Sequence, residues 1–271
     1  MGRSGETEYG KFYDNPLKAA GSESEHDRVD AEHFDEEART FVDRLGEDAL
    51  RVRLDEPMSA RHRKFWDLVG DVRGKRALDV GCGAGWASCM LALKGAESVA
   101  IDVSQGMIDL TLRAAALNGV KVDARRMSAV KIEFPDEYFD VVVGQVSFHH
   151  LPYPTAAREV LRVLKPGGRA VFMDPIHGSR FLLKLRSLFP IDCHESDGGG
   201  ALRRDHIREL GTMFGSADVT WYGPMARFDR FTILEPVYGL LNGLDRAILA
   251  VPGSGWMVSY AVMEFRKQKT A

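Results

Sequence analysis

The 271-residue sequence is poor in cysteine: Cys82, Cys89 and Cys193 are the only three, and no two form a C-x-x-C pair. A chain of this length needs no disulfide scaffold, and the odd count suits free thiols in a reducing compartment, so the cytoplasm is the expected location. Long apolar runs are also missing. The most apolar late stretch, Phe231 to Val251, carries Glu235, Pro236, Asp245 and Arg246, which disqualifies it as a membrane-spanning helix. The first residues, "MGRSGETEYGKFYDN", lack the apolar centre of a secretory signal, so no membrane association is expected. Nor is one charge in excess: 36 Lys plus Arg stand against 39 Asp plus Glu, a formal net charge of -3. That balance lacks the basic footprint of phosphate-dominated binding and argues against a nucleic-acid partner, although Arg and Lys recur from Arg51 to Arg76. What remains is ordinary globular composition, 45% apolar and 28% charged, in a chain long enough for one large α/β domain with appendages.

Residues 1–29 are polar and rich in Gly and Ser and read as a mobile N-terminal arm carrying Tyr9, Phe12 and Tyr13. From Asp30 to Leu45 the residues Phe34, Ala38, Phe41, Val42 and Leu45 recur at helical spacing, and a second amphipathic helix is expected from Ser59 to Val69. Together they define an N-terminal helical cap, residues 30–70. Strand and helix then alternate: "RALDVG", "GWASCMLALKG", "SVAID", "SQGMIDLTLRAAALNG", "VKVDARR", "FDVVVGQV", "TAAREVLRVL", the turn "KPGG", and "RAVFMD". Ser104 reads as the N-cap of the second of these helices, with Gly119 just past its end. Such alternation means βαβ units and a doubly wound parallel sheet, a Rossmann-like α/β fold. Beyond Asp174 the pattern weakens through a helix from Ser179 to Leu188 and the loop "FPIDCHESDGGGALRRD". It resumes as helix "HIRELGTMF", strand "ADVTWYG", an apolar helical stretch, and a last strand "WMVSYAVMEFR".

The turn "LDVGCGAGW" lies at a strand-to-helix junction, where glycines let backbone N–H groups approach a ligand closely. Its spacing discriminates between ligands. A dinucleotide site uses G-x-G-x-x-G, but here Trp86 occupies the third glycine position, which disfavours a pyrophosphate and a nicotinamide-dependent oxidoreductase. Asp102, at the end of the next strand, is placed to accept from both ribose hydroxyls. The pattern therefore describes a nucleoside pocket without a diphosphate.

The segments "LDVGCGAG", "AIDVSQGMI", "FPDEYFDVVVGQVSFHHLP" and "LKPGGR" resemble successive motifs of class I S-adenosylmethionine-dependent methyltransferases, within the small-molecule group related to ubiquinone and menaquinone methyltransferases. The likeness runs from about Ala77 to Asp174. It implies a sheet of order 3-2-1-4-5-7-6 with strand 7 antiparallel, the N-terminal helices and a late helical insertion serving as a lid. It makes residues 71–271 the cofactor-binding domain, with lid-like insertions at about 176–216 and 229–252. It also implies S-adenosyl-L-methionine as cofactor and S-adenosyl-L-homocysteine as product. Asp79, Gly81, Cys82, Gly83 and Gly85 would hold the methionine part, Asp102 the ribose, Val103 and Met107 the adenosine, and Gln145 the methionine moiety from strand 4. Where the family usually has Gly-Asp after strand 3, this chain has Met127 and Ser128; Ser128 retains a hydrogen-bonding hydroxyl but not the charge.

Methyl transfer is an in-line displacement, so a protein mainly aligns the partners, and it needs a base only when the acceptor must lose a proton. His149 and His150 follow strand 4, and Asp174 ends strand 5, at the carboxyl edge where open α/β sheets bind ligands. These three are the candidate catalytic residues; only one of two adjacent histidines is expected to face the pocket, and Asp174 is placed to orient an imidazole or bind a substrate hydroxyl. No metal is expected, because His149, His150, His177, Asp174, Asp192, His194 and Glu195 include no H-x-x-x-H pair. His26 and His33 read as surface residues. Trp221, Tyr222, Phe228, Phe231 and Tyr238 read either as acceptor-pocket lining or as core. The expected function is O-methylation of a quinone-like or secondary-metabolite acceptor with a histidine base; C- or N-methylation, an RNA acceptor, and a non-catalytic cofactor-binding subunit are the alternatives. The exposed early helices also offer a surface for a homodimer.

Overall fold

The computed structural model describes residues 23–54, 58–176, 202–230 and 236–269. Its elements run α1 Glu23–Leu45, α2 Ala60–Val69, β1 Arg76–Val80, α3 Trp86–Leu93, β2 Glu97–Asp102, α4 Gln105–Leu117, β3 Val122–Arg126, β4 Phe139–Gln145, α5 Tyr153–Val163, β5 Leu164–Pro175, α6 Arg204–Phe214, β6 Gly215–Tyr222, α7 Tyr238–Ala250 and β7 Tyr260–Lys267. The seven strands form one sheet of order β3-β2-β1-β4-β5-β7-β6. Strand β7 is antiparallel to both β5 and β6. This is the order the sequence implied.

Alternating residues of the central strands feed two apolar layers. On one face Ala77, Val141, Val143 and Val171 meet Phe65 and Val69 of α2, Met90 and Leu91 of α3, and Ala114 of α4. On the other, Leu78, Val80, Val142 and Phe172 meet Val160 of α5 and Leu210 and Phe214 of α6. Strands buried on both faces read as continuous apolar runs, which is why "VVV" at 141–143 marks a central strand.

Four boundaries differ from expectation. Helix α1 begins at Glu23, so residues 23–29, assigned above to the arm, are helical; the charges there satisfy one another at helical spacing, Arg28 pairing with Glu25 and Glu32. Within β5 the "KPGG" residues lie between the pairs Phe139↔Leu164 and Val141↔Arg169, so the turn is an interruption inside the strand. Residues 204–214, placed above within a lid-like insertion, form α6, whose Ile207, Leu210 and Phe214 bury one stripe in the second apolar layer. Finally, "WMVS" is not the start of β7: Ser254–Met257 form a 3-10 turn after Gly253, and the strand begins at Tyr260. Tyr9, Phe12, Tyr13, His177, Asp192, Cys193, His194, Glu195 and Phe231 lie outside the described residues, as does the helix expected at 179–188. Among the described residues, no helix is long and apolar enough to cross a membrane.

Helix α1 is tied to the sheet domain by one carboxylate. Asp35 Oδ1 accepts from Ser104 Oγ at 2.5 Å and from the Gly106 backbone N–H at 2.9 Å, supplementing the Ser104 N-cap of α4. Gly106 is needed there because a Cβ would lie 2.7 Å from the Ala38 Cβ. Asp35→Ala is expected to lower stability by about 1–3 kcal/mol, the cost of leaving partly buried donors unmet. Thermal unfolding measures the loss, and amide exchange should speed up first in residues 23–45; uniform exchange along the chain would show that Asp35 does not anchor the helix.

Candidate active site

A cavity of about 320 Å³ opens at the carboxyl ends of β1, β2 and β4. Its floor is the turn after β1. Gly81, Gly83 and Gly85 all have positive φ, at 67°, 51° and 83°. At Gly85, the N-cap of α3, a side chain is impossible for a second reason: its Cβ would sit 2.8 Å from the Cα of Thr111. Thr111 in turn closes the turn from α4, donating from Oγ1 to the Gly83 carbonyl at 2.9 Å. A Cβ at Gly83 would meet nothing within 4 Å, so the peptide faces open space where a ligand can approach the backbone.

Two buried carboxylates flank this turn. Asp102, 8% exposed, accepts from the Gly83 N–H with Oδ2 and from the Ser104 N–H with Oδ1, both at 3.0 Å. Burial pushes its carboxyl up, and the Asp35 charge adds to this, against backbone hydrogen bonds from Ser104, Gly83 and Val103. Each oxygen keeps further lone-pair capacity toward the cavity. Asp79, 1% exposed, receives Ser88 Oγ at 2.5 Å, yet burial still pushes it up to about 7. A carboxyl held up by burial is one whose ionised form an approaching cation would stabilise. The Cys82 thiol lines the same floor; burial and the two carboxylates push it far above its usual range, so it is not a nucleophile.

The opposite wall is the segment after β4. Gln145 and His150 line the cavity, and among the described residues the buried Gln145 Nε2 has no hydrogen-bond partner. Val146 adopts φ 55°, a left-handed conformation costly for a β-branched residue, and it too lines the cavity. Ser147 Oγ donates to the Val80 carbonyl at 2.7 Å, holding this wall to the end of β1.

The two histidines part company in a 3-10 turn, Phe148–His150. His149 and Asp174 are not among the described residues that line the cavity. The His149 ring turns back to the fully buried Asp174, its Nδ1 2.9 Å from Oδ1, which also accepts the His149 backbone N–H at 3.2 Å. His150 faces the cavity, its ring 4.0 Å from that of His149 and 5.4 Å, edge-on, from Phe34 of α1. Burial, together with His149, His33 and His26, holds His150 well below the usual imidazole range.

Of the other expected residues, Asp79, Gly81, Cys82, Gly83, Asp102, Val103, Met107 and Met127 line the cavity. Gly85 shapes it from behind. Ser128 lies in an adjoining groove, with Asp27, Ala31 and Asp35 of α1 on its far side. Trp221 and Tyr222 line a different cavity beside α7, Tyr238 is buried, and Phe228 is exposed. His26 is 2% exposed, not on the surface, and its Nδ1 lies 3.6 Å from Asp30 one turn further along α1. The contribution of α1 to the wall, Asp30, Phe34 and Glu37, was missed, as were Trp86 and Ser147. The i, i+4, i+7 spacing on α1 was the available signal.

Comparison with known proteins agrees with this geometry. A family model described as a methyltransferase domain matches residues 78–172. The chain is 37% identical over 128 residues to a demethylmenaquinone methyltransferase from Clavibacter sepedonicus, covering 45% of this chain and 52% of that one. It is 32% identical over 180 residues to a ubiquinone biosynthesis O-methyltransferase from Pseudomonas putida, covering 59% and 72%. The chain thus spans only about half the length of the first relative. The crystal structure of the [4+2]-cyclase SpnF superposes with a TM-score of 0.60 at 20% identity, over 89% of this chain and 95% of that one, a likeness of fold alone. Sheet order, glycine turn, paired Asp79 and Asp102, and relatives converge on one conclusion: the chain belongs to the class I S-adenosylmethionine-dependent methyltransferases, in the group related to the quinone methyltransferases.

Proposed function

We propose that this protein transfers the methyl group of S-adenosylmethionine to an oxygen of a small molecule held against His150, with α1 and α2 (residues 23–70) as a cap over residues 71–271, in the cytoplasm. The observation that carries the reading is a cavity with two buried carboxylates and a glycine turn on one side and, on the other, an imidazole that burial holds below its usual range. The described residues fit the cofactor. Asp79 suits its ammonium group, the Gln145 amide a carboxylate, and Asp102 a ribose diol, while Met107 and Met127 supply apolar walls. When bound, the cofactor supplies an electrophilic methyl group on a sulfonium. The protein's part is to exclude water, align the acceptor oxygen, and take its proton at the unprotonated ring nitrogen of His150 as the bond forms. The pair Asp174 and His149 braces that ring from behind. Incubation with methyl-labelled cofactor and fractionated metabolites, followed by mass analysis, identifies the product; label on carbon or nitrogen would displace the O-methyl reading.

Asp79 makes cofactor binding dependent on pH. With its carboxyl up at about 7 before the ligand arrives, the ammonium group meets a carboxylate only above that value. Affinity is expected to be flat above about pH 7 and to weaken toward tenfold per unit below it, as the site must first lose a proton. Titration calorimetry from about pH 8 to 5.5 measures this, with proton uptake or release checked in two buffers. Affinity independent of pH would remove Asp79 from the ammonium site.

A further inference from the structure

The chain leaves β4 through a residue held in strain. Among the described residues, two other than glycine have positive φ, Glu137 and Val146, both at 55°. Glu137 is exposed in the turn before β4, whereas Val146 lines the cavity. A side chain branched at Cβ is among the least suited to that left-handed conformation. Both flanks hold it there. The Val146 N–H donates to the Met173 carbonyl of β5 at 2.8 Å. Ser147, next in the chain, fills a slot between two glycines: a Cβ on Gly81 would lie 2.6 Å from the Ser147 Cβ, and one on Gly144 2.7 Å from its Oγ. The left-handed step lets Ser147 drop into that slot and reach the Val80 carbonyl. Glycine or asparagine at 146 would make the same step with less strain. Core packing does not account for the valine either, because it remains 39% exposed. What the strain retains is an isopropyl group on the cavity wall.

We propose that Val146 is a specificity-determining residue: its isopropyl group bears on the part of the acceptor next to the reacting oxygen, so that an acceptor flanked there by hydrocarbon is held and one flanked by hydroxyl groups is refused. Val146 stands in the chain between Gln145, assigned above to the cofactor, and His150, assigned to the acceptor, and all three line one cavity. Leu151 and Phe34 continue the apolar lining on the His150 side, with Phe34 edge-on to that ring. A hydroxyl set against such a wall gives up its hydrogen bonds to water and gains none in return. The inference rests on the methyltransferase reading above and narrows its acceptor.

Two variants separate the strain from the apolar surface. Val146→Thr keeps the branching and adds a hydroxyl, so its unfolding temperature should match wild type. Val146→Asn tolerates positive φ and should unfold roughly 2–6 °C higher. Two uncharged probes of one shape report selectivity, 4-ethylcatechol and 3,4-dihydroxybenzyl alcohol, which differ by a methyl against a hydroxyl. Their binding to protein saturated with S-adenosylhomocysteine is measured by calorimetry. Wild type should bind the ethyl probe roughly 10- to 100-fold tighter, and both variants should reduce that preference to about threefold or less. Because one variant leaves stability alone and the other raises it, a loosened fold cannot produce the shared loss. S-adenosylhomocysteine affinity should stay within about twofold of wild type in each. Equal binding of the probes by wild type, binding of neither, or a preference that survives in the variants overturns the selectivity. No rise in unfolding temperature for Val146→Asn overturns the stored strain on which the argument stands. A tenfold or greater loss of S-adenosylhomocysteine would assign Val146 to the cofactor and overturn it as well. Label transfer into a metabolite extract is scored separately: selective binding without any transfer refutes the methyltransferase function alone, and transfer without selective binding refutes only the role of Val146.

Discussion

Replacing His150 by alanine is expected to lower kcat by roughly 10²- to 10⁴-fold, the usual contribution of a positioned general base, with cofactor affinity nearly unchanged. Its ring lines the cavity, while the groups proposed to face the cofactor, Asp79, Asp102 and the glycine turn, come from other strands. The loss should fall on kcat because proton removal strengthens only as the acceptor bond forms. The pH profile gives a second test. A histidine held well below its usual range stays unprotonated, so at saturating S-adenosylmethionine the kcat/KM for the acceptor should run flat from about pH 8 down through the ordinary imidazole range and fall only below it. His149→Ala and Asp174→Asn should cost less, since they brace the ring from behind. Unaltered turnover in His150→Ala would remove the base from the mechanism and favour an acceptor that needs none.

Asp102→Ala is expected to weaken S-adenosylmethionine binding by roughly 10²- to 10⁴-fold. Two hydrogen bonds from ribose hydroxyls to a carboxylate are each worth about 1.5–3 kcal/mol when the acceptor is charged and shielded. The variant also strips the Gly83 and Ser104 N–H groups of their acceptor, loosening the turn proposed to hold the methionine end. Asp102→Asn separates these roles, because its amide oxygen can still accept from one N–H while the charge is gone. Calorimetry should place it between wild type and alanine. A loss of less than about tenfold in the alanine variant would move the ribose away from β2.

The fold was largely legible because its signals are local. Strand and helix periods from Ala77 to Asp174, and a glycine turn at a strand end, arise from residues close in sequence, and the sheet order followed from the motif resemblance. The division of labour between His149 and His150 was not legible. In a strand they would point to opposite faces; in the 3-10 turn found here successive side chains diverge by a third of a turn, and which one reaches the cavity depends on Asp174, 25 residues away. The landing place of α1 was hidden for the same reason. Its amphipathic pattern announces a buried face but not the partner, and the contact that decides it, Asp35 with Ser104, spans 69 residues. His26 looked exposed because a polar neighbourhood, "ESEHD", says nothing about what packs over it.

The Asp35 anchor has a kinetic corollary. Helix α1 walls both the cavity and the adjoining groove and is pinned to the first turn of α4 by the Asp35 carboxylate. Were cofactor and acceptor to bind as proposed, release of that one contact would govern the entry of either and the departure of the spent cofactor, and would couple their residence times. Turnover would then follow how often the latch lifts, some distance from the atoms that react.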